Sequence, residues 1–152
     1  MTLTGGILKA LRGESAETGK SEGAFEVSKS EAEWKQALTP EQFNVLRNHG
    51  TERAGTSQLD KEHRKGKFFC AGCDLAVFES DTKFDSGTGW PSFFQPIAGA
   101  VASSIDKGFF MSREEIHCHR CGGHLGHVFE DGPQPTGKRY CMNGAAMKFV
   151  AG

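Results

Sequence analysis

No stretch of this 152-residue chain approaches the roughly 20 consecutive apolar residues that span a bilayer. The opening run from Met1 to Leu11 is broken by Lys9 and has neither a charged start nor a small-residue cleavage pattern, so it does not read as a secretory signal. A soluble protein is expected. A basic surplus is missing too: 18 Lys and Arg stand against 19 Asp and Glu, for a net charge of -1, with a pI near 6.6. Nothing here would draw a phosphate backbone without sequence specificity, which argues against nucleic acid as a partner. The most basic stretch, Lys61 to Lys67, is interrupted by Glu62 and reads as a solvated loop before a strand. Cysteine is scarce and odd in number: there are five, and no sixth. Paired Cys-x-x-Cys motifs with one thiol left over fit a reducing compartment, the cytoplasm by default, better than an oxidising one with an even disulfide framework.

The length suits one domain. Residues 1–29 read as a flexible leader, since Gly13 to Lys29 is rich in Ser, Gly, Glu and Lys and has little to bury. The folded domain is expected over residues 30–152. Ser30 with Glu33 has capping-box form ahead of the Trp34/Leu38 pair, which predicts a short helix. A second helix starts at the Thr39 cap with Pro40 and Gln42, turns Phe43 and Leu46 to one side, and closes at Gly50. From Gly66 onward short apolar runs predict strands at Lys67–Phe69, Leu75–Phe78, Gly108–Met111, His127–Phe129 and Met147–Val150. Turns such as Asp85-Ser86-Gly87 and Asp131-Gly132-Pro133 between them favour antiparallel sheets over alternating strand and helix.

Four of the cysteines form two matched pairs, Cys70/Cys73 and Cys118/Cys121, a four-thiolate set for which zinc is the common occupant. Four ligands close the coordination sphere, and the distance between the pairs makes the metal a structural cross-link. A rubredoxin-like iron site and a thioredoxin-like redox pair fit less well, because the chain is large for a bare iron carrier and no helical pattern follows either pair. His117 and His119, beside a ligand, are expected on the surface.

Cys141 is left over. In Arg139-Tyr140-Cys141-Met142-Asn143 the strand period of two sets Arg139, Cys141 and Asn143 on one face and Tyr140 and Met142 on the other. A cation beside a thiol favours the nucleophilic thiolate. His124 and His127 lie three apart and share a site only if Gly126 permits a bulge or bend; hydrogen bonding within the fold explains them equally well on spacing alone. A second metal site formed with Cys141 is disfavoured by Arg139. Trp90, between loop-forming Gly89 and Pro91, is either a core plug or a lip for an apolar ligand. The competing reading of the whole is a zinc-ribbon binding module with Cys141 buried and inert.

Asp85-Ser86-Gly87-Thr88-Gly89-Trp90-Pro91-Ser92-Phe93, Cys118-His119-Arg120-Cys121-Gly122, His124-Leu125-Gly126-His127-Val128-Phe129 and Arg139-Tyr140-Cys141-Met142-Asn143 together resemble the methionine sulfoxide reductase B family, from about Ser30 to Val150. The resemblance implies a mainly β fold of two antiparallel sheets with short N-terminal helices and zinc on Cys70, Cys73, Cys118 and Cys121. It further implies attack by Cys141 on methionine-R-sulfoxide, oxygen protonation aided by His124 and His127, and a sulfenic acid product. Arg139 would hold Cys141 near its thiolate form, Asn143 and Asp131 would support the polar network, and Trp90 would cover the substrate methyl. Many members carry a recycling cysteine where this chain has Thr88. Its absence implies an external thiol reductant such as thioredoxin or glutaredoxin, or a small dithiol.

Overall fold

The computed structural model describes residues 25–107 and 112–152. The leader up to residue 24 and the expected strand at Gly108–Met111 therefore lie outside the described residues. Both helices form as their caps dictate. In α1 (Glu31–Ala37) Ser30 and Glu33 make the reciprocal capping box, and in α2 (Pro40–Asn48) Thr39 and Gln42 repeat it with Pro40 in the first turn. Trp34, Leu38, Phe43 and Leu46 are buried as expected, and Val45 joins them. The end of α2 is a correction: His49, not Gly50, takes the left-handed cap at φ 58° and ψ 31°, and Gly50 N–H closes the turn on Asn44 O at 2.9 Å.

Among the described residues nine strands follow: β1 (Gly66–Cys70), β2 (Ala76–Glu79), β3 (Lys83–Phe84), β4 (Ser92–Phe93), β5 (Val101–Asp106), β6 (Arg113–Cys118), β7 (His124–Phe129), β8 (Arg139–Met142) and β9 (Met147–Ala151). They make one sheet in the order β2-β1-β9 and another in the order β3-β4-β8-β7-β6-β5. Every pairing is antiparallel. The sheets meet through aromatic rings. Phe78 of β2 stacks on Phe93 of β4 at 4.3 Å between centroids, and Phe68 of β1 meets the same ring edge-on at 5.0 Å. All three are fully buried, a burial worth about 1.5–3 kcal/mol for each ring.

Of the strands that apolar runs did not reveal, β3 and β4 are only two residues long, and β5 and β6 are polar. β5 ends the larger sheet as an edge with Ser103, Ser104 and Ile105 exposed, and β6 carries Arg113, Glu114 and Glu115. An edge or half-solvated strand needs no continuous apolar run. Among the described residues no helix is long and apolar enough to cross a membrane.

Candidate active site and thiolate cluster

Each Cys-x-x-Cys pair sits on a turn that ends in the left-handed region. Asp74 N–H reaches Cys70 O at 2.8 Å with Asp74 at φ 65°, and Gly122 N–H reaches Cys118 O at 2.9 Å with Gly122 at φ 76°. The two knuckles face each other. Cys73 and Cys118 sulfurs are 3.5 Å apart, Cys70 and Cys121 sulfurs 3.7 Å, and all four lie within 4.8 Å of one another. A tetrahedral ion with bonds of about 2.3 Å sets its sulfurs about 3.8 Å apart, so the four thiols have the spacing of a metal site. Backbone N–H groups of Gly72 and Gly123 approach the sulfurs of Cys70 and Cys121 at 3.3 and 3.4 Å, which supports thiolate charge. Arg47 ties α2 to this corner by donating to Cys121 O at 3.0 Å. His119 is exposed as expected, whereas His117 is half-buried against Phe25 at 6.2 Å between ring centroids.

Cys141 lies apart from this cluster, in the wall of an open pocket of about 270 Å³. Its strand neighbours are fixed by register: β8 runs between β4 and β7, which sets Ser92 on one side of Cys141 and His127 on the other. The alternation read from the sequence holds. Arg139, Cys141 and Asn143 line the pocket, while Met142 is buried in the core and Tyr140 faces Phe78 at 5.9 Å. Cys141 is partly exposed, so the reading of a wholly buried, inert thiol loses its premise.

The electrostatics of Cys141 need a correction. Burial pushes its thiol above the ordinary value, and this outweighs the lowering by the Arg139 charge and by hydrogen bonds from Thr88 and Arg139. The sequence reading counted the cation and not the burial. Arg139 is also shared: its Nε and Nη2 donate to Asp131 Oδ1 and Oδ2 at 2.9 and 3.1 Å, and its guanidinium stacks on Phe129 at 4.5 Å. Asp131 thus holds Arg139 from the solvent side and does not itself line the pocket.

A bulge brings the histidines together, but at Leu125. Ile116 pairs with Gly126 and His117 with His124, leaving Leu125 as the extra residue on β7. The imidazoles of His124 and His127 meet at 5.3 Å. Gly126 is needed for a different reason, since a Cβ there would stand 2.1 Å from Cys141 O. His127 lines the pocket, and its Nε2 lies 3.1 Å from Asp106 Oδ2. Burial lowers its proton affinity, against the pull of Asp106. His124 sits behind it, buried, with Nδ1 at 2.7 Å from Glu115 Oε2.

Trp90 takes the lip position of the two open readings. It is half-buried on the pocket wall, and its Nε1 donates to Glu52 O at 2.9 Å. Glu52 is a residue that sequence reasoning missed. Its N–H donates to Asn143 Oδ1 at 2.9 Å and its buried carboxylate accepts from Gly144 N and Ala145 N at 2.9 and 2.8 Å, so one residue braces both Trp90 and Asn143. Nothing in Thr51-Glu52-Arg53 marks it, because its partners lie far along the chain: the Trp90 indole 38 positions away, and Asn143, Gly144 and Ala145 at 91, 92 and 93. Arg113 and Phe129 complete the wall and were equally unmarked as site residues.

Residues 38–151 match the SelR domain model. The chain is 55% identical over 126 residues to peptide methionine sulfoxide reductase MsrB of Leptospira interrogans, covering 82% of this chain and 96% of that protein. It is 56% identical over 124 residues to the MsrB of Agrobacterium fabrum, covering 81% and 92%. Against peptide methionine sulfoxide reductase B1, chloroplastic, of Arabidopsis thaliana it is 54% identical over 125 residues, covering 82% of this chain and 62% of that protein. The chain belongs to the methionine sulfoxide reductase B family, and its SelR domain is the two-sheet body that carries Cys141.

Proposed function

We propose that this enzyme reduces methionine-R-sulfoxide, in proteins or free, to methionine, with Cys141 as the nucleophile. The observation that carries the reading is the placement of Cys141: a thiol in a pocket wall, between Ser92 and His127, sharing its face with Arg139 and Asn143. The Cys141 sulfur, as thiolate, attacks the sulfoxide sulfur. The oxygen takes up a proton and passes to the cysteine, methionine leaves, and a sulfenic acid remains, with two electrons moved from Cys141 to the substrate sulfur. Burial keeps the resting thiol protonated, so attack requires a base. His127, held neutral by burial near pH 7 and adjacent in register to Cys141, takes that proton. The proton that His127 takes from Cys141 passes on to the oxygen, and His124, buried behind His127 with its ring centroid 5.3 Å away, holds that ring in place. Arg139, oriented by Asp131, stabilises the thiolate as it forms, and Asn143, fixed by Glu52, holds the polar side of the pocket. The Trp90 indole covers the substrate methyl.

That division of polar and apolar walls sets the stereochemistry, because exchanging oxygen and methyl would press the oxygen on the indole and the methyl on the proton donors. With each epimer supplied separately and a small dithiol as reductant, the R epimer is expected to turn over at least about 100-fold faster than the S epimer. Equal rates would contradict the pocket assignment. Recycling falls to an external thiol such as thioredoxin or glutaredoxin. Thr88, not cysteine, stands beside Cys141, and the other four thiols belong to the cluster. Zinc on Cys70, Cys73, Cys118 and Cys121 supplies a structural cross-link, and no step of the reaction passes through it. Five unpaired cysteines suit a reducing compartment such as the cytoplasm.

A further inference from the structure

Three hydroxyls stand in series beside Cys141. Ser92 of β4 lies directly opposite Cys141 of β8, and Met142 N–H donates to Pro91 O at 2.9 Å on the flank of that pair. Side chains of such a pair share one face of the sheet, and Ser92 is fully buried. From Ser92 the contacts run back into the preceding loop. Ser92 Oγ lies 2.7 Å from Ser86 Oγ, and Ser86 Oγ lies 2.8 Å from Thr88 Oγ1. Thr88 lines the pocket and bonds to the Cys141 sulfur. At the far end Ser92 Oγ donates to Trp90 O at 3.0 Å, a carbonyl that only accepts. Gly87, at φ 77°, lets the loop curl so that Ser86 and Thr88 meet.

The count of hydrogens gives this chain two polarities. Sulfur, three hydroxyls and a carbonyl make four contacts in a row. With Cys141 as a thiol there are four hydrogens, and every contact is filled when the order runs from sulfur to Thr88, Ser86, Ser92 and Trp90 O. With Cys141 as a thiolate there are three, and the sulfur only accepts. The hydroxyls then turn about their C–O bonds: Ser92 donates to Ser86, Ser86 to Thr88 and Thr88 to the sulfur. The empty contact moves to the Trp90 carbonyl, and no O–H bond breaks. Backbone donors hold two of the oxygens in either polarity, because Thr88 N–H reaches Ser86 Oγ and Trp90 N–H reaches Thr88 Oγ1, each at 3.4 Å. We infer that Thr88 is a catalytic residue, with Ser86 and Ser92 as positioning residues behind it, and that the three hydroxyls reverse together to hand Cys141 a hydrogen bond as its charge forms. The inference deepens the reductase reading, in which His127 takes the thiol proton and the sulfur carries charge until it attacks.

The test uses the zinc-loaded full chain, in which the metal occupies the other four thiols, and titrates Cys141 by its rate of alkylation with iodoacetamide against pH. The charged and titratable groups around the sulfur are Arg139 on β8, His127 on β7, Arg113 on β6 and Asp131, and every variant keeps them. Thr88→Val has the same shape without the donor and is expected to raise the alkylation midpoint by about one pH unit, since the thiolate alone loses a hydrogen bond to its charge. Thr88→Ser restores the hydroxyl and the wild-type midpoint. The reversal has its own signal at the other end of the chain. In the wild type the Trp90 carbonyl carbon, followed by NMR, is expected to titrate with the midpoint of Cys141 as Ser92 leaves it; in Ser86→Ala the chain is cut and that response is lost. A loop that merely packed against the pocket would show neither the serine rescue nor the coupling. An unmoved midpoint in Thr88→Val overturns the inference, as does a Trp90 signal that is flat in the wild type or persists in Ser86→Ala. Absent sulfoxide turnover in the wild type sinks the reductase reading instead, while both readouts still judge the hydroxyl chain.

Discussion

Cys141→Ser is expected to lower turnover of methionine-R-sulfoxide by at least about 10⁴-fold while leaving the melting curve and metal content unchanged. The side chain stands in a pocket wall, so a slightly smaller oxygen leaves no core cavity. Its chemistry changes altogether. Burial already raises the thiol, and the same burial acts on a hydroxyl whose ordinary value is far higher, so Arg139 and Thr88 cannot make an alkoxide available near neutral pH. Single-turnover assays by methionine release, run beside thermal melts, check both halves. Normal turnover in the serine variant would remove Cys141 from the mechanism.

Cys118→Ser has the opposite signature. The cluster joins residues 45 and 51 positions apart in sequence, and a cross-link closing loops of that length is worth about 4 kcal/mol by restricting the unfolded chain. Cys118 is also fully buried in the core cluster at the end of β6, and its carbonyl receives the Gly122 N–H that shapes the knuckle. Loss of the ion in this variant is expected to lower the melting temperature by about 10 °C or more and to release zinc. Reduction of sulfoxide per folded molecule should stay close to normal, since no catalytic group is a cluster ligand. Metal analysis of purified wild type, melts of the variant and activity scaled to the folded fraction make the comparison. Stoichiometric zinc retained by Cys118→Ser with an unchanged melt would contradict a four-cysteine structural site.

Much of this was legible in residue order because it depends on local rules. Capping boxes at Ser30 and Thr39 require only the backbone within one turn, and the period of two over Arg139 to Asn143 requires only an extended strand. The cysteine pairs announce themselves by spacing. What stayed hidden depends on distant partners. Glu52 gains its place from Asn143, Gly144 and Trp90, and His49 from a carboxylate 66 positions away. The position of the β7 bulge needed the β6 register, which pairs His117 with His124 and leaves out Leu125. The thiol of Cys141 was misjudged for the same reason: a neighbouring arginine is visible in the sequence, while the burial that outweighs it is a property of the fold.

The central claim is that Cys141 alone carries the oxidising equivalent through a turnover. Its most direct test is intact-mass and peptide mapping of the zinc-loaded wild type after one equivalent of methionine-R-sulfoxide without reductant. The account predicts one added oxygen on the Cys141 peptide as a trappable sulfenic acid, one thiol lost, one methionine released and zinc retained. A disulfide between Cys141 and Cys70, Cys73, Cys118 or Cys121, with zinc expelled, would contradict it.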